Sequence, residues 1–381
     1  MRGWFSLLVA VALVGCGPRR YVEDPLARAV RTGSVQEVEG LLAAGHRPDG
    51  SPNQETPLVT AARAGDADMV ATLLRHGADP NGRVTLGYYS SPLAEALRSG
   101  HAPTVQALLD AGAKTVVNGQ PMVAAAKTIE VAKLVLAKDP DLTSVGQMGA
   151  DALSAPVAEN RLDVVEYLLR NGAAKILGRA GYNHLEVPAS QGKMEMLDLL
   201  LRYGANPNYA SAPREHHSPS VPLASAARNG EVEAVELLLA RGADPKAANA
   251  QGETPLHAGA EAGQDKIVRQ LVRAGAKVDV VDRLGRSALF VAVVPYRPYR
   301  WDGRLAPTRR VVDTVRELLR SGADPNVRDR NNWSVLTRAV VAGDLDVVRE
   351  LRAAGGATTS AELRTAVGPL DRGAAIAEAL K

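Results

Sequence analysis

At 381 residues the chain is long enough for two or three globular domains, yet aromatics make up only 4% of it and there are just two Phe. Its packing must rely on Ala, Leu and Val, small side chains that let short helices approach closely. The formal net charge of +3 is near balance and does not mark a nucleic-acid binder.

The N-terminus stands apart. Arg2 supplies a small positive region, and Trp4 to Gly15 is apolar or small throughout. About a dozen residues is too short to span a bilayer, which needs roughly 20, but it fits the apolar part of a secretory signal. The stretch ends in Leu13-Val14-Gly15-Cys16. This resembles a bacterial lipobox, in which cleavage precedes the cysteine and the thiol carries a diacylglycerol. Cys16 is the only cysteine in the chain, so its modification would leave no free thiol and no disulfide, as suits an oxidising compartment. The expected order is a signal peptide at 1–15, then a lipidated, palmitate-bearing cysteine with a short tether at 16–24. Eight residues of tether reach at most roughly 25–30 Å, which holds the rest close to a membrane. Gly17 is not Asp. By the same resemblance the anchor is expected in the outer membrane, facing the periplasm.

From residue 25 a pattern recurs: Leu-x-x-Ala-x-x-x-Gly, then Val-x-x-Leu-Leu, then Gly-Ala. The first unit runs through Leu26, Ala29, Gly33, Val38 and Gly45, and the second through Leu58, Ala61, Gly65, Val70 and Gly77. The third has Leu93, Ala96, Gly100, Val105 and Gly112, after a longer connection carrying Tyr88-Tyr89. The fourth, Pro121 to Asp139, lacks the glycine between its helices and reads as a unit that lost about a turn. The fifth (Leu153, Val165, Gly172) and sixth (Leu185, Leu197, Gly204) place Pro156 and Pro188 where other units have Ala. Proline removes a helix hydrogen bond and clashes with the preceding turn, so their first helices are expected to be short, late or kinked. The seventh (Leu223, Ala226, Gly230, Val235, Gly242) follows a long connection with Tyr209, His216 and His217.

The eighth unit, Gly252 to Asp279, shows the mechanics most clearly. Thr254 can cap a helix, Pro255 suits its first position, and Leu256 and Ala260 share one face. Gly263 breaks that helix. Ile267, Val268, Leu271 and Val272 form a second apolar stripe, closed by Gly275. Two such short helices are marginal alone and need neighbours. The ninth unit starts at Leu289 and is interrupted near 295–309 before resuming. The tenth is Leu336, Ala339, Gly343 and Val348, and residues 360–381 read as a terminal cap with charged groups among the apolar ones.

The run Thr254-Pro255-Leu256-His257-Ala258, recurring in outline along the chain, resembles the ankyrin repeat. The next residue, Gly259, departs from the pattern. The resemblance implies an all-α solenoid of about ten to eleven helix-turn-helix units over 25–381, with finger loops between units. It also implies that His257 is structural, and that partners bind at finger tips and first helices.

The interruption reads Pro295-Tyr296-Arg297-Pro298-Tyr299-Arg300-Trp301. Tyr, Trp and Arg are the types enriched at binding hot spots, so Tyr296, Arg297, Tyr299, Arg300 and Trp301 are candidate partner contacts. Rings folded back over the helix ends, or a disordered loop, are the bland alternatives. Tyr88, Tyr89 and Tyr209, in fingers, are candidates beside packing between fingers. His216 and His217 lack the companions of a metal site. No Gly-rich phosphate loop, Gly-x-Ser-x-Gly or His-Glu-x-x-His occurs, and acidic residues are spread along repeat surfaces. The expectation is a monomeric, membrane-anchored protein-binding scaffold of the cell envelope, with no catalysis, no cofactor, no metal and no nucleic acid. The rivals are an inhibitor or immunity-type protein neutralising one envelope enzyme, and a cell-wall binding module.

Overall fold

The computed structural model describes residues 24–51, 55–82, 91–146, 150–178, 183–210, 221–293 and 308–367. Contacts divide the chain into two units, one comprising 1–115 and 125–140, the other 116–124 and 141–381.

Unit one is built from helix pairs: α1 (Pro25–Thr32) with α2 (Val35–Ala43), α3 (Pro57–Ala64) with α4 (Ala67–Arg75), and α5 (Pro92–Ser99) with α6 (Ala102–Asp110). Each first helix begins with Pro, whose missing amide costs nothing there. Asp24, Thr56 and Ser91 cap the three by accepting from amides of the first turn. Each ends on a left-handed glycine such as Gly65, at φ 74°, which turns the chain into the second helix. The first helices α1, α3 and α5 pack in one layer, and α2, α4 and α6 in another. Leu26, Leu58, Leu93, Val38, Val70 and Val105 fill the space between. The fourth pair is irregular. Helix α7 (Ile129–Lys138) packs on α6, and the 3-10 turn that precedes it in the chain, Met122–Ala125, has all but its last residue in the second unit. The turn has four residues where α1, α3 and α5 have eight each, the shortening that the sequence spacing predicts.

Unit two begins with a two-stranded ribbon, β1 (Val116–Val117) against β2 (Gln120–Pro121). Its helix pairs follow in order: α8 (Ser154–Ala158) and α9 (Leu162–Arg170), α10 (Glu186–Ser190) and α11 (Met194–Arg202), α12 (Pro222–Asn229) and α13 (Val232–Ala240), α14 (Pro255–Glu261) and α15 (Asp265–Arg273). Then come α16 (Ala288–Val293) and α17 (Thr308–Arg320), α18 (Val335–Ala342) and α19 (Leu345–Ala353), and α20 (Ser360–Val367). Two layers form here as well: α8, α10, α12, α14, α16, α18 and α20 in one, α9, α11, α13, α15, α17 and α19 in the other.

The proline units behave as their sequence predicts. Helices α8 and α10 have five residues each, and Leu153 and Leu185, which lie inside the helix elsewhere, become their N-caps. The late start puts Pro156 and Pro188 in the first turn, where an amide has no intrahelical partner. Helix α17 begins at Thr308, so the last two positions of the expected interruption are helical.

Candidate partner-binding surface

The turns that follow the second helices are fixed by a repeated side-chain staple. Asn208 Nδ2 donates to the Gly242 carbonyl at 3.0 Å, and its Oδ1 accepts from the Asp244 amide at 2.7 Å. Asn81 does the same with Gly112 and Lys114, at 3.3 and 2.8 Å, and Asn326 with Gly355 and Ala357, at 3.3 and 2.9 Å. Asp49 and Asp279 keep half of it, accepting from the amides of Asp79 and Asp324. One carboxamide satisfies both a donor and an acceptor of the next turn, so successive turns are tied at fixed spacing. The sequence reading passed over this residue. Its visible trace was the Asn that closes Gly-Ala-Asp-Pro-Asn and Gly-Ala-Asn-Pro-Asn.

His257 is structural, as expected. Its ring and Thr254 form a reciprocal cap, and Nε2 reaches the Arg286 carbonyl at 3.0 Å in the following pair. Burial holds its pKa below the usual histidine value, against the pull of the carbonyl and of Asp282 and Glu253. A neutral ring suits this geometry, with Nδ1 accepting from the Thr254 amide and Nε2 donating.

The two proline units carry a pair that the sequence reading missed. Asp151 and Asn183 sit where Thr254 sits in the eighth unit. Asp151 Oδ1 accepts from the amides of Leu153 and Ser154, and Asn183 Oδ1 from the Leu185 amide. His184, at the position of Pro255, brings Nε2 to 3.0 Å from Asp151. Both side chains are buried. Beside them a shallow pocket is lined by Leu177, Asn183, His184, Ala205, Asn206 and Tyr209. Tyr209, one of the finger candidates, is half-buried, and its carbonyl accepts from Asn183 Nδ2 at 2.7 Å. Its backbone is therefore tied to Asn183, and the residue lines the pocket.

In unit one the exposed ends of the first helices carry an ion-pair chain. Arg63 Nη1 lies 2.7 Å from Glu55 and its Nε 3.1 Å from Glu95, while Arg98 Nη1 lies 2.7 Å from the other oxygen of Glu95. Burial works against Arg63, but these carboxylates raise its pKa above the ordinary arginine value. The guanidinium groups are half exposed and the Glu95 carboxylate is nearly covered.

Cys16, Tyr88, Tyr89, Tyr296, Arg297, Tyr299, Arg300 and Trp301 lie outside the described residues, as do His216 and His217. Arg338 stacks over the Trp333 ring, 3.8 Å from its centroid, and over Phe290 at 5.8 Å, and bonds Asp329 at 2.8 Å.

Comparison with family models finds Ankyrin repeats (3 copies) at residues 8–84, 26–119 and 218–295, and Ankyrin repeat at 284–330. Together these matches take in more than half of the chain. The stretch between the matches, 120–217, holds the irregular fourth unit and the two proline units, where helix pairs nevertheless persist, as they do beyond 330. No curated protein matches.

Proposed function

The chain belongs to the ankyrin-repeat family, and from that premise we propose that it is a non-catalytic protein-binding scaffold tethered to the bacterial cell envelope through Cys16. The observation that carries the binding role is the staple at Asn81, Asn208 and Asn326. It ties turns that follow the second helices to one another, so that within each unit these turns are held at fixed spacing. A partner that binds turns held in this way orders little on docking, which spares affinity. Stacked repeats offer broad surfaces of this kind and suit macromolecular partners.

The envelope role rests on sequence alone. The apolar leader, the Leu13-Val14-Gly15-Cys16 run and the single cysteine support lipidation, and Gly17 supports outer-membrane sorting. Several acyl chains give durable anchoring where one does not. The aromatic and arginine cluster of Tyr296, Arg297, Tyr299, Arg300 and Trp301 supports a partner contact, together with Tyr88, Tyr89 and Tyr209 in the fingers.

Two measurements test this reading. Labelled palmitate should enter the wild-type protein and not Cys16→Ser, which should leave the membrane fraction; equal labelling of both would remove the anchor. In a paired pull-down from envelope extract, residues 17–381 should retain a protein partner that the Tyr296→Ala, Tyr299→Ala, Trp301→Ala variant loses. Equal retention would move the contact to the fingers and first helices, and capture of no protein by either bait would sink the scaffold role.

A further inference from the structure

The first helices of unit one carry a column of positive charge that its fold does not require. Helices α1, α3 and α5 hold Arg28, Arg31, Arg63 and Arg98 against a single carboxylate, Glu95. Arg31, Arg63 and Arg98 occupy one register, five positions after the leading leucine of each pair, and all are exposed. Because α1 packs on α3 and α3 on α5, equal register means a column. Lys127 extends it: its stem lies against the turn at Gly100, and its amide donates to the Leu97 carbonyl at 3.0 Å.

In unit two the same register reads Ala158, Ser190, Arg228, Glu261 and Val341. Four of these five helix pairs fold without arginine at that position, and the exception, Arg228, lies 3.7 Å from Glu261. Nothing in the repeat demands the column, which carries like-charge repulsion. Glu55 and Glu95 offset part of it and also hold the guanidinium groups in place. Such an array of half-exposed arginines is prepared for carboxylates, which a guanidinium fork binds bidentately.

Spacing narrows the partner. Packed helices stand roughly 8–10 Å apart. A polyproline II chain has three residues per turn and rises about 3.1 Å per residue, so every third side chain repeats on one face at about 9 Å. We propose that the column of Arg31, Arg63 and Arg98 binds an extended, proline-containing acidic segment of a partner protein, with Asp or Glu at every third position. The inference rests on the scaffold reading and names its partner's chemistry.

The test uses the full chain in mild detergent and labelled synthetic peptides, read by fluorescence anisotropy. A repeated Glu-Pro-Pro peptide should bind, more weakly as salt rises. A peptide of the same composition with all Glu clustered at one end, and a repeated Lys-Pro-Pro peptide, should bind on the order of tenfold more weakly or not at all. The variant Arg31→Gln, Arg63→Gln, Arg98→Gln should lose about tenfold in affinity. Arg31→Gln alone, which leaves the Glu95 pairs intact, should lose a few-fold, and Arg228→Gln nothing. Equal binding of periodic and clustered peptides overturns the proposal. So does an equal loss with Arg228→Gln, or arginine-dependent binding to phosphatidylglycerol vesicles without peptide binding. If the triple variant keeps the same envelope protein as wild type, the scaffold reading stands and this inference falls. If wild type captures no protein, both fall.

Discussion

His184 and Asp151 form a buried couple. The ring Nε2 stands 3.0 Å from the carboxylate, and the side chains keep only 2% and 6% of their surface. The bond joins consecutive helix pairs in the stretch where Pro156 and Pro188 leave first helices of five residues. Short helices bury less apolar surface, and the couple fastens them where packing is thinnest.

Acid should loosen this stretch. Burial alone pushes the Asp151 carboxyl up, but the bond from His184, the charge of its ring, the Leu153 amide and the Ser154 hydroxyl together hold it below the usual carboxylate range. A depressed folded pKa gives stability that is present above the unfolded value of about 3.9 and is lost as pH falls through the folded value. Asp151→Ala should cost about 1–3 kcal/mol at neutral pH, since it strands buried hydrogen-bonding partners, and should flatten the acid limb. Hydrogen exchange at the amides of α8 and α9 reads both effects. An unchanged exchange rate and acid limb would show that the couple holds nothing.

Gly259→Ala should stabilise. Gly259 lies inside α14, at a backbone angle that any residue adopts. An added Cβ would meet Ile267 Cγ2 at 3.4 Å, an ordinary van der Waals contact. Glycine inside a helix costs roughly 0.5–1 kcal/mol relative to alanine, so the variant should gain about that much. A lowered denaturation midpoint would mean that the Ile267 side chain cannot accommodate the methyl.

The repeat was legible because its cause is local. Pro255, Thr254 and Gly263 act within a few residues, and the leucine and valine stripes need only helical spacing. The short, late helices at Pro156 and Pro188 were legible for the same reason. What escaped was contact between units. His184 reaches a carboxylate 33 positions away, and nothing local distinguishes it from a surface histidine. The Asn208 staple bridges 36 positions, and the register that aligns Arg31, Arg63 and Arg98 carries meaning only once α1, α3 and α5 lie side by side.

The staple should be measurable one bond at a time. Asn208→Ala removes a donor to Gly242 and an acceptor for the Asp244 amide. Water replaces both at this exposed site, so the cost should be about 1 kcal/mol. Asn208→Asp keeps the acceptor, as Asp49 and Asp279 do, and should lose about half as much. Exchange at the Asp244 amide should speed up in the first variant and not in the second. Equal protection in all three proteins would reduce the carboxamide to a bystander.

Glu362 ties α20 to the start of α18. Glu362 accepts from the Ser334 amide at 2.8 Å, the Ser334 hydroxyl at 3.0 Å, the Thr337 hydroxyl at 2.5 Å and Arg328 Nη1 at 3.1 Å. Through it α20 closes the start of α18, as the next pair would in mid-stack. Burial raises its pKa, but the Ser334 amide, the two hydroxyls and Arg328 outweigh that and hold it below the ordinary glutamate value. The cap should therefore be fully held above about pH 4.3 and released as pH falls through the folded value. Glu362→Ala should lower the local opening free energy of α20 by about 2–3 kcal/mol, because bonds to a charged acceptor are lost together. Limited proteolysis should then cut near Thr358 to Leu363 at neutral pH, while exchange in α14 and α15 stays unchanged. Loss of protection throughout unit two would instead mean that α20 holds the whole stack and not its own end.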